Sequence, residues 1–389
     1  MIIYFRCPPR LKEQVDELVE RGLYPDFSSF CTIAIQNQLL VEESDSKGGS
    51  GAPLTKKLET AKDHKVAGPS TSPEDQAARP KPIEPRNGEP TKGSLSLPEE
   101  LRQSGPSKDP PFALPGAGAD VFEPGQLVPV DRWLFGQYNR LLPAKVSIRA
   151  LASVASREGK ESLVLESVAA RIAEIASEFG DYLRLLDRKF AAHRDDALST
   201  AFPEKSSDGQ KGRVRYQNQF VGHTVKGEQG GLLVGLKLAT IQVIKNKPHI
   251  LPTRTGWQFA LLENPLLDSL PVEAEQKLTQ VERAFLLEHI RGHVPVEAFA
   301  YAVILSLIEK GVCSPEAMNT ALAQFLSPGR LSTETKEFVN TQRSGALGRM
   351  TDLGLVSHER DGRHVSRGLT PEGKRFLENV GQFEVAPMK

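Results

Sequence analysis

The stretch RDGRHVSRGLTPEGKRF, Arg360–Phe376, decides the fold. Asp361-Gly362 is a tight turn of the kind that suits the twist of two paired strands. Thr370 stands where a helix needs a cap for its free amides, Pro371 takes the first helical position, and Glu372 favours the positive end. Just upstream, Ala346, Leu347, Met350 and Leu353 recur on one helical stripe, and Leu355-Val356 opens a strand. The order is helix, turn, two-stranded hairpin, helix.

KNKPHILPTRTGWQF, Lys245–Phe259, has the same layout. A shift of 117 residues places Leu236 on Leu353, Leu238 on Leu355, Thr253 on Thr370, Gly256 on Gly373 and Phe259 on Phe376, with Leu233 on Met350. These five identities and one apolar match fall where structure is set: helix end, strand start, cap, close packing and core. The chain carries one helix–hairpin–helix pattern twice.

The second copy, LGRMTDLGLVSHERDGRHVSRGLTPEGKRFLE, resembles the multiple-antibiotic-resistance regulator (MarR) type of winged helix-turn-helix. It matches that family's helix end, Gly-Leu-Val strand, Asp-Gly-Arg wing tip and Leu-Thr-Pro-Glu-Gly cap over about 45 residues. The resemblance implies duplex DNA as partner, although winged helices also dock proteins. It places Thr341, Gln342 and Arg349 on the DNA-reading side of a recognition helix, with Arg343 along the packing edge. In the wing it puts Arg363 in the minor groove, Asp361 steadying it, and Arg360 and Arg367 at phosphates. In the first copy the wing is Lys245-Asn246-Lys247, where Lys245 and Lys247 suit phosphate.

Charge distribution agrees. Lys+Arg and Asp+Glu are both 49, so the whole chain is neutral and only local asymmetry carries information. Lys211 to Gly256 holds eight basic residues, including Lys226 and Lys237, and one acidic residue, Glu228. Lys336 to Phe376 holds eight basic and five acidic residues. Such patches contact phosphate. A solvated basic face or an acidic protein partner is the other reading.

Residues 1–43 form a unit of their own: a strand-type opening, a helix with Leu11, Val15, Leu18 and Val19 at helical spacing, a stop at Gly22, and a second helix capped at Ser28 or Ser29. Some 40 residues bury too little for an independent core, and one strand leaves its edge unpaired. Two copies would solve both problems, so a homodimer is expected. IIYFRCP, RLKEQVDELVERG and GLYPDFSSFCTIAIQNQLL resemble the ribbon-helix-helix family. That resemblance implies Tyr4 and Arg6 toward DNA and Ser28 and Ser29 at phosphate. Yet the unit has four basic and seven acidic residues, so pure dimerisation stands beside DNA contact.

Residues 44–111 contain no Phe, Trp or Tyr, and Gly, Ser, Pro, Lys and Glu dominate. The segment reads as a disordered linker, with Ser96–Gln103 as a transient helical turn. The expected fold is therefore mainly α with small β hairpins: a ribbon-helix-helix unit (1–43), a linker (44–111) and two winged helix-turn-helix domains (112–270 and 271–389).

Signals for chemistry are weak. Cys7, Cys31 and Cys313 form no CxxC pair. His289 and His293 stand one helical turn apart, but Glu288 precedes the first histidine and no third ligand is evident. Neither a GKS/T phosphate loop nor a complete dinucleotide fingerprint occurs. No enzymatic activity, cofactor or metal is expected. The start lacks signal-peptide features and no apolar run approaches the roughly 18 residues of a span. The expectation is a cytoplasmic, nucleoid-associated DNA-binding dimer, a transcriptional regulator. The alternative is a non-enzymatic scaffold subunit of a DNA-processing, chromosome-maintenance or phage-defence complex.

Overall fold

The computed structural model describes residues 97–102, 106–118, 127–190, 197–204, 209–268, 277–326, 333–361 and 364–379. The chain divides into two compact units, Met1–Gly88 and Glu89–Lys389. All described residues belong to the second. The ribbon-helix-helix expectation, with Tyr4, Arg6, Ser28 and Ser29, lies outside them, as does Arg363.

The described part is mainly helical, with three small antiparallel sheets. Helix α1 (Leu142–Glu158) starts at a proline in its first turn and ends at Gly159, whose φ of 61° is the left-handed conformation glycine adopts without strain. Leu142 through Ala155 are all buried, so α1 is the central helix rather than an amphipathic surface one. Strand β1 (Leu163–Val164) leads into α2 (Leu165–Lys189), whose apolar stripe includes Val168, Ile172, Phe179 and Leu183. Helix α3 (Gly209–Tyr216) passes through a π-turn at Gln217–Val221 into a short hairpin, β2 (His223–Val225) and β3 (Glu228–Gly230).

The first repeat follows as α4 (Leu232–Gly235), β4 (Ala239–Ile244), β5 (Lys247–Pro252) and α5 (Arg254–Leu261). After α6 (Pro265–Asp268), α7 (Gln280–His293), α8 (Pro295–Glu309) and α9 (Pro315–Ala323) comes the second: α10 (Thr333–Asp352), β6 (Val356–Asp361), β7 (His364–Leu369) and α11 (Pro371–Asn379).

The 117-residue correspondence holds atom by atom. Thr253 caps α5 by accepting from Gly256 N at 3.0 Å and donates to Leu238 O at 3.0 Å. Thr370 caps α11 by accepting from Gly373 N at 2.9 Å and donates to Leu355 O at 3.1 Å. A Cβ on Gly256 would strike the Leu238 carbonyl, and one on Gly373 the Leu355 carbonyl. Lys237 and Gly354, equivalent turn residues, have φ of 55° and 75°. Strand pairing ends at Ile244↔Lys247 in one copy and Asp361↔His364 in the other. Asp361 is therefore a strand residue, not the first residue of the turn.

The repeats differ in two ways. The helix before the hairpin has 4 residues in the first copy and 20 in the second. In addition, β1 extends the first hairpin to three strands in the order β1-β5-β4, pairing Leu163 with Ile250, whereas β6 and β7 stand as a two-stranded sheet.

Both repeats contribute to one hydrophobic core. Four polar ties between residues distant in sequence close it. Lys145 on α1 meets Glu282 on α7 at 3.0 Å, both fully buried. Arg149 meets Asp268 at 2.5 Å. Asp352 at the end of α10 accepts from Leu141 N at 2.8 Å. Arg349 on α10 meets Glu297 on α8 at 2.6 Å, again fully buried. Charges so far from water persist only when paired.

The linker expectation is corrected for its C-terminal part. Leu97 and Leu101 are core residues, the first just before and the second at the end of a one-turn helix at Glu99–Leu101. Trp257 Nε1 donates to Ser107 O at 3.0 Å, and Phe112 meets the Trp257 ring edge-on. Residues 97–102 and 106–115 thus form a strap against α1 and α5. Two leucines and a tryptophan partner suffice to hold a polar segment whose composition alone argues for disorder.

Candidate nucleic-acid interface

The basic residues of the stretch Lys211–Gly256, which runs from α3 into the first repeat, are largely at the surface. On α3, Lys211 and Arg215 are exposed and Arg213 half-buried. Lys226 opens the two-residue turn of the β2–β3 hairpin with φ of 50°, followed by Gly227 at 85°. Lys245 and Asn246 form the β4–β5 turn with φ of 50° and 61°. Two successive left-handed residues make the tight hairpin turn that matches strand twist. Lys226, Lys245, Lys247 and Arg254 are exposed, while Lys237 is half-buried. The two hairpins touch, since Gln229 Nε2 on β3 donates to Ile241 O on β4 at 2.9 Å. The arrangement presents ammonium and guanidinium groups on short, stiff elements, with Glu228 as the sole carboxylate between Lys211 and Gly256.

The second repeat departs from expectation. Gln342 is 2% exposed and its Nε2 donates to Val130 O. Arg349 is fully buried, with Nε on Glu297 Oε1 at 2.6 Å and Nη1 on Tyr138 O at 2.6 Å. Neither side chain reaches solvent, so neither reads DNA in this structure. The physical reason is the segment Gly136–Asn139, which lies across α10. A Cβ on Gly345 would strike Gly136 O, one on Gly348 would strike Asn139 O, and one on Gly136 would strike Thr341 O. The helix was read from its own stripe; the covering segment comes from about 200 residues earlier.

Burial works against the Arg349 charge, but the Glu297 carboxylate more than offsets it and raises the guanidinium pKa. Thr341 is half-buried. Arg343 runs along the packing edge as expected, donating to Pro315 O and, at 2.8 Å, to Asn340 Oδ1. Arg367 on β7 is half-buried and close enough to Arg343 to lower its pKa, alongside the larger effect of burial. Arg360 lies in β6.

Sequence reasoning missed Lys145 and Arg149. On a helix buried all round they point inward, and their signal is a basic residue at i and i+4 within an apolar run. Lys145 Nζ has three acceptors: Glu282 Oε1, Phe259 O at 2.6 Å and Leu262 O at 2.7 Å. Burial lowers its pKa to about 8, against the pull of Glu282. Two carbonyl hydrogen bonds and the Glu282 ion pair hold it in the core as a structural tie.

His289 and His293 stack 5.0 Å apart, and His289 Nε2 is 2.7 Å from Leu236 O. Burial, chiefly, lowers the His289 pKa, favouring a neutral ring that donates to that carbonyl. Among the described residues no group of three or more His, Cys, Asp or Glu could hold a metal. Likewise no single described helix is long and apolar enough to cross a membrane.

An open groove of about 990 Å³ lies between α7 and α11, lined by Arg283, Arg291, Arg375 and Phe376 among others. A second, of about 410 Å³, lies between the β3–α4 turn and the start of α8. Neither adjoins the Lys245–Lys247 turn.

No family model, no curated protein and no solved structure matches the chain.

Proposed function

We propose that the protein binds duplex DNA through the exposed basic residues of Lys211–Gly256, chiefly by phosphate contacts, and that it is not an enzyme. The observation that carries this reading is the solvent exposure of Lys211, Arg215, Lys226, Lys245, Lys247 and Arg254 in a stretch with eight basic residues and one acidic one. Lysines on stiff turns suit phosphate, which fixes position without reading sequence. Two winged-helix repeats in tandem are the architecture we assign, on the shared cap, turn and register.

Burial of Gln342 and Arg349 removes two of the side chains that base reading would use. This weighs toward the second of the two roles set out above, a DNA-binding subunit of a DNA-processing, chromosome-maintenance or phage-defence assembly in the cytoplasm. The regulator reading rests on residues 1–43, where dimerisation and base contact by Tyr4 and Arg6 would supply specificity.

The test is fluorescence anisotropy on labelled duplexes of unrelated sequence across a salt series, with the full chain and with residues 89–389. The fragment is expected to bind with similar affinity to all sequences. Its log-log salt slope should lie near −5, from about −0.9 per phosphate and six exposed cations. A strong preference for one duplex, present only in the full chain, would favour the regulator. If neither protein binds at 50 mM salt, the DNA reading fails.

A further inference from the structure

Of the seven large apolar side chains that are exposed among the described residues, three lie in the basic stretch. Val214, Val225 and Val243 are 47%, 52% and 67% exposed, and each lies within two residues of an exposed cation. Val243 is the most notable because of its place on the hairpin. Strand alternation puts it on the face of Ile241, and the register sets it opposite Pro248, as Ile241 is opposite Ile250. The Ile241–Ile250 pair is buried. Two residues further out, the same face is uncovered. An apolar strip thus runs from the core into solvent and ends at Lys245 and Lys247. No described neighbour covers Val243.

We propose that the β4–β5 hairpin is an apolar wedge that bends duplex DNA. Val243 and Pro248 press between base steps from the minor groove, while Lys245 and Lys247 hold the phosphates on either side. The inference rests on the DNA reading above and deepens it. Apolar wedges unstack a step and kink the duplex, and the bend brings more backbone against the protein. The charge complement is in place, as the surrounding stretch has a single carboxylate. The tight turn, with Lys245 and Asn246 both in left-handed conformation, supplies stiffness. Pro248 lies on the middle strand but one residue beyond its pairing with β1, so a nitrogen facing that side costs no ladder bond. The preferred target is a duplex with a central TA step, the easiest to unstack.

The test uses the full chain and end-labelled duplexes, with energy transfer between the ends reporting bend and anisotropy reporting affinity. Wild type is expected to shorten the end-to-end distance, more with a central TA step than with an all-G·C centre. Val243→Ser should restore most of that distance and leave the salt slope within about 0.5 of wild type. The double change Lys245→Ala, Lys247→Ala should reduce the slope by about 2, from roughly 0.9 per phosphate. The wedge is overturned if wild type binds a duplex that stays straight, or if V243S bends it as fully as wild type. Absence of any duplex binding would instead overturn the DNA reading itself. Val243-dependent binding to phosphatidylserine vesicles without duplex binding would reassign the surface to anionic lipid.

Discussion

Arg349 and Glu297 face each other 2.6 Å apart with both side chains sealed from solvent. The pair joins α10, which belongs to the second repeat, to α8, and Arg349 extends the tie to Tyr138 O at the start of the central helix. A residue expected from the sequence to face DNA is here a cross-brace.

Arg349→Met is therefore expected to destabilise the fold, by about 3–5 kcal/mol, because it strands a buried carboxylate. The double change Arg349→Met, Glu297→Gln should cost clearly less. Urea midpoints measure both. If R349M leaves stability intact and abolishes DNA binding, the side chain has another role.

The equivalent glycines give a matched pair. Gly256→Ala and Gly373→Ala each force a methyl against a carbonyl that already accepts from a capping threonine. Neither carbonyl can retreat without losing that bond. Each change should cost about 3 kcal/mol, at the upper end of overpacking. Thr253→Ala and Thr370→Ala should each cost about 1–2 kcal/mol. Thermal denaturation of the four variants would show whether the two copies respond alike.

The Lys145–Glu282 tie predicts a pH effect. The folded pKa of Lys145, about 8, lies below the ordinary 10.5. Between these values the unfolded chain holds more protons, so this group makes stability rise as pH rises from about 8 toward 10.5. Below pH 8 both states are protonated and its penalty is constant. The double variant Lys145→Met, Glu282→Gln should lack that rise. Guanidinium midpoints at pH 8 and pH 10, compared between wild type and the variant, measure it.

The strap makes a prediction about fragments. A protein starting at residue 112 loses the seats of Leu97 and Leu101 and the Ser107–Trp257 bond. At about 1.5–3 kcal/mol per buried leucine side chain, residues 112–389 should be about 3–6 kcal/mol less stable than residues 89–389. Equal melting temperatures would mean that the strap contributes nothing.

What was legible in the sequence was local. The threonine caps, the glycine three residues on, the hairpins and the helix stripe each depend on residues within a turn or a strand of one another. The surface lysines were legible for the same reason, as charge in a neutral chain. What escaped was decided at long range. Gln342 and Arg349 sit off the stripe of their own helix, and distant segments make them interior: Val130 and Gly136–Asn139 from before the central helix, and Glu297 on α8. The spacing Gly345-x-x-Gly348 was the available sign, since a helix bare on one side accepts another backbone there. Leu97 and Leu101, four apart in polar surroundings, were the corresponding sign for the strap.

The tie between Leu141 and Asp352 has a consequence for how the molecule is made. Its partners are 211 residues apart, and the carboxylate is synthesised last. At about 5–20 residues per second, the central helix waits about 10–40 s on the ribosome before the groups that neutralise Arg140 and seat its first turn exist. During that interval the N-terminal end of the central helix lacks the carboxylate that accepts from Leu141 N and pairs with Arg140.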